Sequence, residues 1–159
     1  MGRVALVTGA AHGIGFQMAF ALANAGAKIA FNSSNESSMK KGIEEYHKLG
    51  IDAFGFVCDV RDEFAVNNMI DVIIREIGEI DILVNNAGII KRIPAVDMKV
   101  EEFKEVIDVD LVAPFILSKA VAPAMIKRGG GKIINICSLM SELGRETVSA
   151  YAAAKGGLK

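Results

Sequence analysis

Tyr151 and Lys155 stand four residues apart in a stretch with helical spacing, so their side chains share one helix face. A free phenol titrates near ~10, too high for an efficient base at neutral pH. An ammonium held beside it stabilises the phenolate and brings proton exchange within reach. Ser138 lies upstream, at the end of the apolar run Lys132 to Cys137, which reads as a strand. Each residue alone is as readily an ordinary surface or strand-end side chain. As a set following a glycine-rich loop they form a candidate proton-transfer site.

That loop is Thr8-Gly9-Ala10-Ala11-His12-Gly13-Ile14-Gly15. Gly9, Gly13 and Gly15 permit tight turns and close backbone approach. The helix that follows offers unpaired N–H groups and a positive dipole end, so Ala11, His12, Gly13 and Ile14 are placed to receive an anion such as a pyrophosphate. A tight turn with no ligand is the alternative, and a glycine string alone is weak evidence. Here the string sits between a strand and a helix, the context that phosphate binding requires.

These groups must be positioned by an alternation of β-rich runs and helical patterns. Strands are expected at Val4 to Val7, Lys28 to Phe31, Ala53 to Val57, Asp81 to Val84 and Lys132 to Cys137. Helices are expected at Ile14 to Asn24, Glu36 to Leu49 and Glu63 to Ile77, with Gly26, Gly50 and Gly78 as stops. Val100 to Lys127 reads as one long helix or two, with kinks at Pro114 and Pro123, and a last helix begins near Ser149. Such alternation predicts an α/β fold, a doubly wound parallel sheet with helices on both faces, in a single domain over residues 1–159. Ligands of such sheets bind beyond the carboxyl ends of the strands, where every motif named here falls.

Bulk properties narrow the function. Apolar residues make up 52% of the 159, enough for a packed core, and the formal net charge is −1. That charge supplies no field to recruit nucleic acid or an anionic membrane. No apolar run approaches a membrane span, and the start lacks a signal-peptide layout. Cys58 and Cys137, far apart in apolar runs, argue against a disulfide framework or a metal site and fit a reducing cytoplasm.

The spacing Thr-Gly-x-x-x-Gly-x-Gly, with Asn85-Asn86-Ala87-Gly88 after the fourth strand and Tyr151-x-x-x-Lys155 after Ser138, resembles the short-chain dehydrogenase/reductase family along the whole chain. The resemblance implies a Rossmann-like three-layer αβα fold and NAD(P)-dependent hydride transfer at a CH–OH group. It makes Tyr151 the acid in reduction and the base in oxidation. Lys155 also bonds the nicotinamide ribose, and Ser138 bonds the substrate oxygen. Asn86, Ala87 and Gly88 would line the nucleotide site, and Asp59 with Val60 would meet the adenine. Asp59 is equally suited to cap the next helix. Where the family has a helical asparagine this chain has Asp110, whose backbone carbonyl would hold a water in the proton relay from Lys155.

Cofactor choice turns on the end of the second strand, where a carboxylate selects the free 2′-hydroxyl of NAD. Here the segment is Phe31-Asn32-Ser33-Ser34-Asn35, with Ser33 at the selective place. Hydroxyl and amide donors, helped by His12, Lys40 and Lys41, favour NADP, while Glu36 leaves NAD open.

Arg145, Glu142 and Ser141 lie in the loop between Ser138 and Tyr151, and Lys91 and Arg92 follow the Asn85 motif. Arg145 suits a carboxylate, and the set suits a small polyhydroxylated acid. The stretches Gly131 to Ser138 and Ser141 to Thr147, with Asp110, are similar to the family's sugar-acid subgroup, which implies interconversion of D-gluconate and 5-dehydro-D-gluconate. A 3-ketoacyl-carrier-protein reductase, a 2-deoxy-D-gluconate 3-dehydrogenase and a non-catalytic dinucleotide-binding protein are the alternatives. Family members continue beyond this helix and assemble as homotetramers. The chain is therefore expected to be a fragment, incomplete at its C-terminus, with the fifth strand left as an aggregation-prone edge.

Overall fold

A computed structural model of the chain describes residues 2–159. Strands β1 (Val4–Val7), β2 (Lys28–Ser33), β3 (Ala53–Val57), β4 (Ile80–Asn85) and β5 (Lys132–Asn135) form one parallel sheet in the order β3-β2-β1-β4-β5. Helices α1 (Gly13–Asn24), α2 (Glu36–Lys48), α3 (Glu63–Glu76), α4 (Val100–Ile107), α5 (Ala113–Lys127) and α6 (Ser149–Leu158) connect and cover it.

Alternation along the central strands builds two cores. Val4 and Leu6 of β1 face one way, with Ala30, Leu83, Ile70, Ile73, Leu117 and Val121. Ala5 and Val7 face the other, with Ile29, Phe31, Val84, Ala19 and Tyr46. The sheet therefore has α3 and α5 on one face and α1 and α2 on the other, the three-layer αβα arrangement. A smaller cluster of Val106, Ala150 and Ala154 joins α4 to α6.

The ends of two strands differ from the sequence expectation. β2 runs past Phe31 to Ser33, because Asn32 and Ser33 pair with Phe56 and Val57 of β3 instead of turning. β5 ends at Asn135, opposite Asn85, the last residue of β4. Its outer side is a sheet edge, with Ile133 and Ile134 exposed.

The long helical run divides at a π-helical turn, Asp108–Val112, between α4 and α5. Pro114 sits in the first turn of α5, where it has no N–H to offer the carbonyl of Asp110 four residues back. Pro123 lies inside α5 without ending it. By length and composition alone, the run Val100–Lys127 is long and apolar enough to cross a membrane. Ile116, Leu117, Val121 and Met125 turn its apolar side into the α3 core, which accounts for that composition.

Candidate active site

The glycine loop leaves β1 at the carboxyl edge of the sheet and enters α1 at Gly13. Gly9 and Gly13 adopt φ of 62° and 66°, the left-handed region that glycine enters without penalty. Gly15 answers a different need: a Cβ there would stand 2.4 Å from Asn86 Nδ2 and 2.9 Å from the Gly9 carbonyl oxygen.

Side chains from three other segments fix this loop. Thr8 Oγ1 accepts the N–H groups of Asn86 at 3.0 Å and Ala87 at 2.9 Å. Asn86 Nδ2 donates to the Thr8 carbonyl at 2.8 Å. The buried Asn32 amide accepts from Gly9 N–H at 3.1 Å and donates to the Cys58 carbonyl at 2.9 Å, tying the loop to the end of β3. Tyr46 of α2 donates its hydroxyl to the Ala10 carbonyl at 2.8 Å while stacking on Phe16. Burial pushes the Tyr46 phenol far above its ordinary range, so it stays a donor.

Together these segments line a cleft of about 520 Å³. Its walls hold the expected Gly9, Ala11, His12, Gly13, Ile14, Gly15, Ser33, Ser34, Asp59, Val60, Asn86, Ala87 and Gly88, along with Arg61 and Glu105, which the sequence reading did not single out. The volume is in the range of small-molecule sites. Backbone glycines at one end and the Ser33–Ser34 hydroxyls at the other are donors suited to phosphate oxygens.

Several expectations about this cleft need correction. The Asn32 amide lines the cleft, but its carbonyl and NH2 are engaged by backbone groups and are not spare phosphate donors. Lys40 lies outside the lining residues, as does Lys41, and Lys40 pairs with Glu36 at 2.7 Å across one helical turn. Asp59 is not the cap of α3; that role belongs to Asp62, whose Oδ1 accepts the N–H groups of Phe64 and Ala65. Asp59 is gripped by Arg61 at 2.6–3.1 Å, which holds its carboxyl below the usual carboxylate range.

The second half of the site lies along α6. Lys155, only 4% exposed, donates to the Ile136 carbonyl at 3.0 Å, at the end of the β5 segment that carries Ser138. Its ammonium is 5.7 Å from the Tyr151 ring centroid. Ser138 Oγ accepts the Met140 N–H and opens a 3-10 turn, Leu139–Ser141.

The two halves meet through Asp110, which is fully buried. Its Oδ1 accepts the Ile89 N–H at 2.7 Å, and its Oδ2 lies 3.4 Å from Lys155 Nζ without a hydrogen bond. Oδ2 also packs on Gly88, where a Cβ would come within 2.9 Å. Gly88 is a cleft residue, so Asp110 links the cleft wall to Lys155. Burial pushes the Asp110 carboxyl up from its ordinary range, against the downward pulls of the Ile89 amide and Lys155.

The residues expected to hold a substrate are only partly brought together. Ile93 N–H donates to the Thr147 carbonyl at 3.0 Å, so the segments carrying Arg92 and Arg145 are laced side by side. Thr147 holds φ of 65°, unusual for a β-branched residue, at that junction. Arg92 and Arg145 themselves are exposed. Glu142 is paired with Lys159, and Lys91 with Glu105 at 2.5 Å, so neither offers a free charge. Neither Ser138 nor Tyr151 is a wall of the glycine-loop cleft.

Residues 3–159 match the family model for short chain dehydrogenases. A 2-dehydro-3-deoxy-D-gluconate 5-dehydrogenase from Formosa agariphila is 55% identical over 159 residues, covering 99% of this chain and 60% of that protein. The 2-keto-3-deoxy-D-gluconate dehydrogenase structure from Streptococcus agalactiae is 63% identical with a TM-score of 0.83, covering 98% of this chain and 59% of its own. A gluconate 5-dehydrogenase from Burkholderia cenocepacia J2315, solved in complex with NADP and tartrate, is 43% identical with a TM-score of 0.91, over 99% and 62% of the two chains. This chain thus spans about 60% of the length of these relatives. Glycine loop, parallel sheet order and the Tyr151–Lys155 pair agree with the match over nearly the whole chain, and the chain belongs to the short-chain dehydrogenase family.

Proposed function

We propose that this chain forms the nucleotide-binding and proton-transfer part of an NAD(P)-dependent oxidoreductase that interconverts a CH–OH group and a ketone on a six-carbon sugar acid. The observation that carries the reading is the path from the cleft through Gly88 and Asp110 to Lys155 and Tyr151. That path supports reading Tyr151 as the proton-exchanging group of a dinucleotide site. At Gly15 the missing Cβ admits Asn86 Nδ2 and the Gly9 carbonyl, so the loop closes tightly on the end of β4 and borders the cleft.

In this reading Gly9 and Ala11–Gly15 hold the pyrophosphate, Ser33 and Ser34 the adenosine ribose, and Asp59 with Val60 the adenine. The nicotinamide ring, when bound, supplies or takes the hydride. Tyr151 gives its proton to the carbonyl oxygen in reduction and takes the hydroxyl proton in oxidation. Ser138 orients that oxygen. Lys155, anchored on the Ile136 carbonyl, holds its ammonium 5.7 Å from the Tyr151 ring. NADP is the favoured cofactor, because Ser33 and Ser34 stand at the cleft wall with no carboxylate beside them on β2, and Glu36 is tied to Lys40.

The substrate pair we favour is D-gluconate and 5-dehydro-D-gluconate. A second reading, oxidation of 2-dehydro-3-deoxy-D-gluconate, is favoured by the higher identities, 55% and 63%, to dehydrogenases named for that acid. The intact protein should be assayed with NADP and NAD against both acids and a 3-ketoacyl thioester. Tyr151→Phe should abolish turnover and keep nucleotide binding. Turnover by Tyr151→Phe within threefold of the wild type would refute the assignment. Light scattering tests the homotetramer expected of the family.

A further inference from the structure

The buried carboxylate of Asp110 has a use that the proton-transfer reading leaves open. Three anchors surround it. Its Oδ1 is fixed by the Ile89 N–H at 2.7 Å. Its Oδ2 rests on Gly88 and faces the Lys155 ammonium at 3.4 Å. That ammonium is in turn held by the Ile136 carbonyl at 3.0 Å, and lies 5.7 Å from the Tyr151 ring. Four segments converge on one charged pair: the loop after β4, the π-helical turn, the end of β5 and α6.

An asparagine at this place would keep the Ile89 bond, since its side-chain carbonyl accepts the same N–H. A carboxylate adds one thing an amide lacks, a negative charge beside Lys155. Ile89 contributes an amide to it, Gly88 packs on its Oδ2, and Lys155 is the ionisable group acting on it. Its charge is answered by the Ile89 N–H and by Lys155, whose ammonium lies 5.7 Å from the Tyr151 ring.

We propose that Asp110 is a positioning residue which, through its charge, holds Lys155 and offsets part of the field that Lys155 exerts on Tyr151, so setting the pH range in which Tyr151 exchanges its proton. The inference rests on the reading of Tyr151 as the proton-transfer group. No atom is transferred to or from Asp110 in the step. It acts by how far it leaves the ammonium uncompensated.

The test is Asp110→Asn in the intact protein, with pH–rate profiles for oxidation of the sugar acid that turns over with NADP. Removing the anion leaves Lys155 uncompensated, so the rising limb should move to lower pH by on the order of one unit. Nucleotide KM should stay within about twofold, because the Ile89 tether survives. Thermal unfolding supplies a second readout. Raised above the unfolded value, the Asp110 carboxyl gives stability that is whole in acid and is lost as pH rises through its folded value. Asp110→Asn should therefore gain on the wild type as pH rises, a trend that a purely structural tether would not produce.

A third readout needs no Asp110 variant. In protein labelled at the aspartate carboxyl carbons, the buried Asp110 resonance should titrate at higher pH in Lys155→Met than in the wild type. Superimposed pH–rate profiles for Asp110→Asn and wild type would overturn the proposal, and so would an Asp110 titration indifferent to Lys155→Met. Either result leaves the Tyr151 assignment standing if Tyr151→Phe is inactive. An active Tyr151→Phe removes both.

Discussion

Tyr46→Phe offers the sharpest test of how the glycine loop is held. The substitution deletes one oxygen. The ring keeps its stack on Phe16, centroids 4.3 Å apart, and its tilted contact with Phe31 at 5.1 Å. Packing is thus unchanged, and the cavity cost of about 3–5 kcal/mol expected for Tyr46→Ala does not arise. What is lost is the 2.8 Å bond to the Ala10 carbonyl, inside the protein. A buried acceptor stripped of its partner costs about 1–3 kcal/mol. Urea unfolding of the intact protein should show that loss as a lower midpoint at constant slope. Ala10 lies between cleft residues Gly9 and Ala11, so nucleotide Kd should also rise by about three- to tenfold, or about 0.7–1.4 kcal/mol. The alkaline limb adds an independent sign. Folding raises the Tyr46 phenol above its unfolded value, so its contribution is whole below ~10 and falls away as pH climbs beyond that. Tyr46→Phe should flatten that alkaline decline. A stability change under about 0.5 kcal/mol together with unaltered nucleotide affinity would refute the reasoning.

Other substitutions probe neighbouring parts of the site. Gly15→Ala places a methyl 2.4 Å from Asn86 Nδ2, so nucleotide affinity should drop by about a hundredfold or more, read by fluorescence titration. Asp62→Ala removes the two N-terminal bonds of α3 and should cost about 1 kcal/mol in denaturant titrations, with nucleotide binding unaffected. Asp59→Asn breaks the half-exposed pair with Arg61, worth no more than about 1 kcal/mol in stability. With its carboxyl held low by Arg61, the wild-type contribution is present above ~4 and is lost as pH falls through the lowered folded value, so the two proteins should converge in stability in stronger acid.

Much of this molecule was legible in its residue order because the relevant information is local. Apolar runs bounded by Gly26, Gly50 and Gly78 announced strands and helices, since those periods and stops act within a few residues. The Tyr151–Lys155 pairing follows from helix pitch, and the phosphate cradle from glycines between a strand and a helix. What the chain order did not reveal was which distant groups would close on one another. Asn32 reads as a turn residue, yet β3 pairing holds it in a strand, where its amide joins Gly9 to Cys58. Tyr46 reads as one apolar position of an amphipathic helix, yet it is the hydroxyl that fixes Ala10. Asp110 was tied to Lys155 only through its backbone carbonyl, yet the π-helical turn sets its side chain between Gly88, Ile89 and Lys155. These contacts link residues from 21 (Asp110–Ile89) to 45 (Asp110–Lys155) positions apart. They depend on strand order and helix docking, which are decided when whole faces are buried together, and local spacing carries no record of that choice.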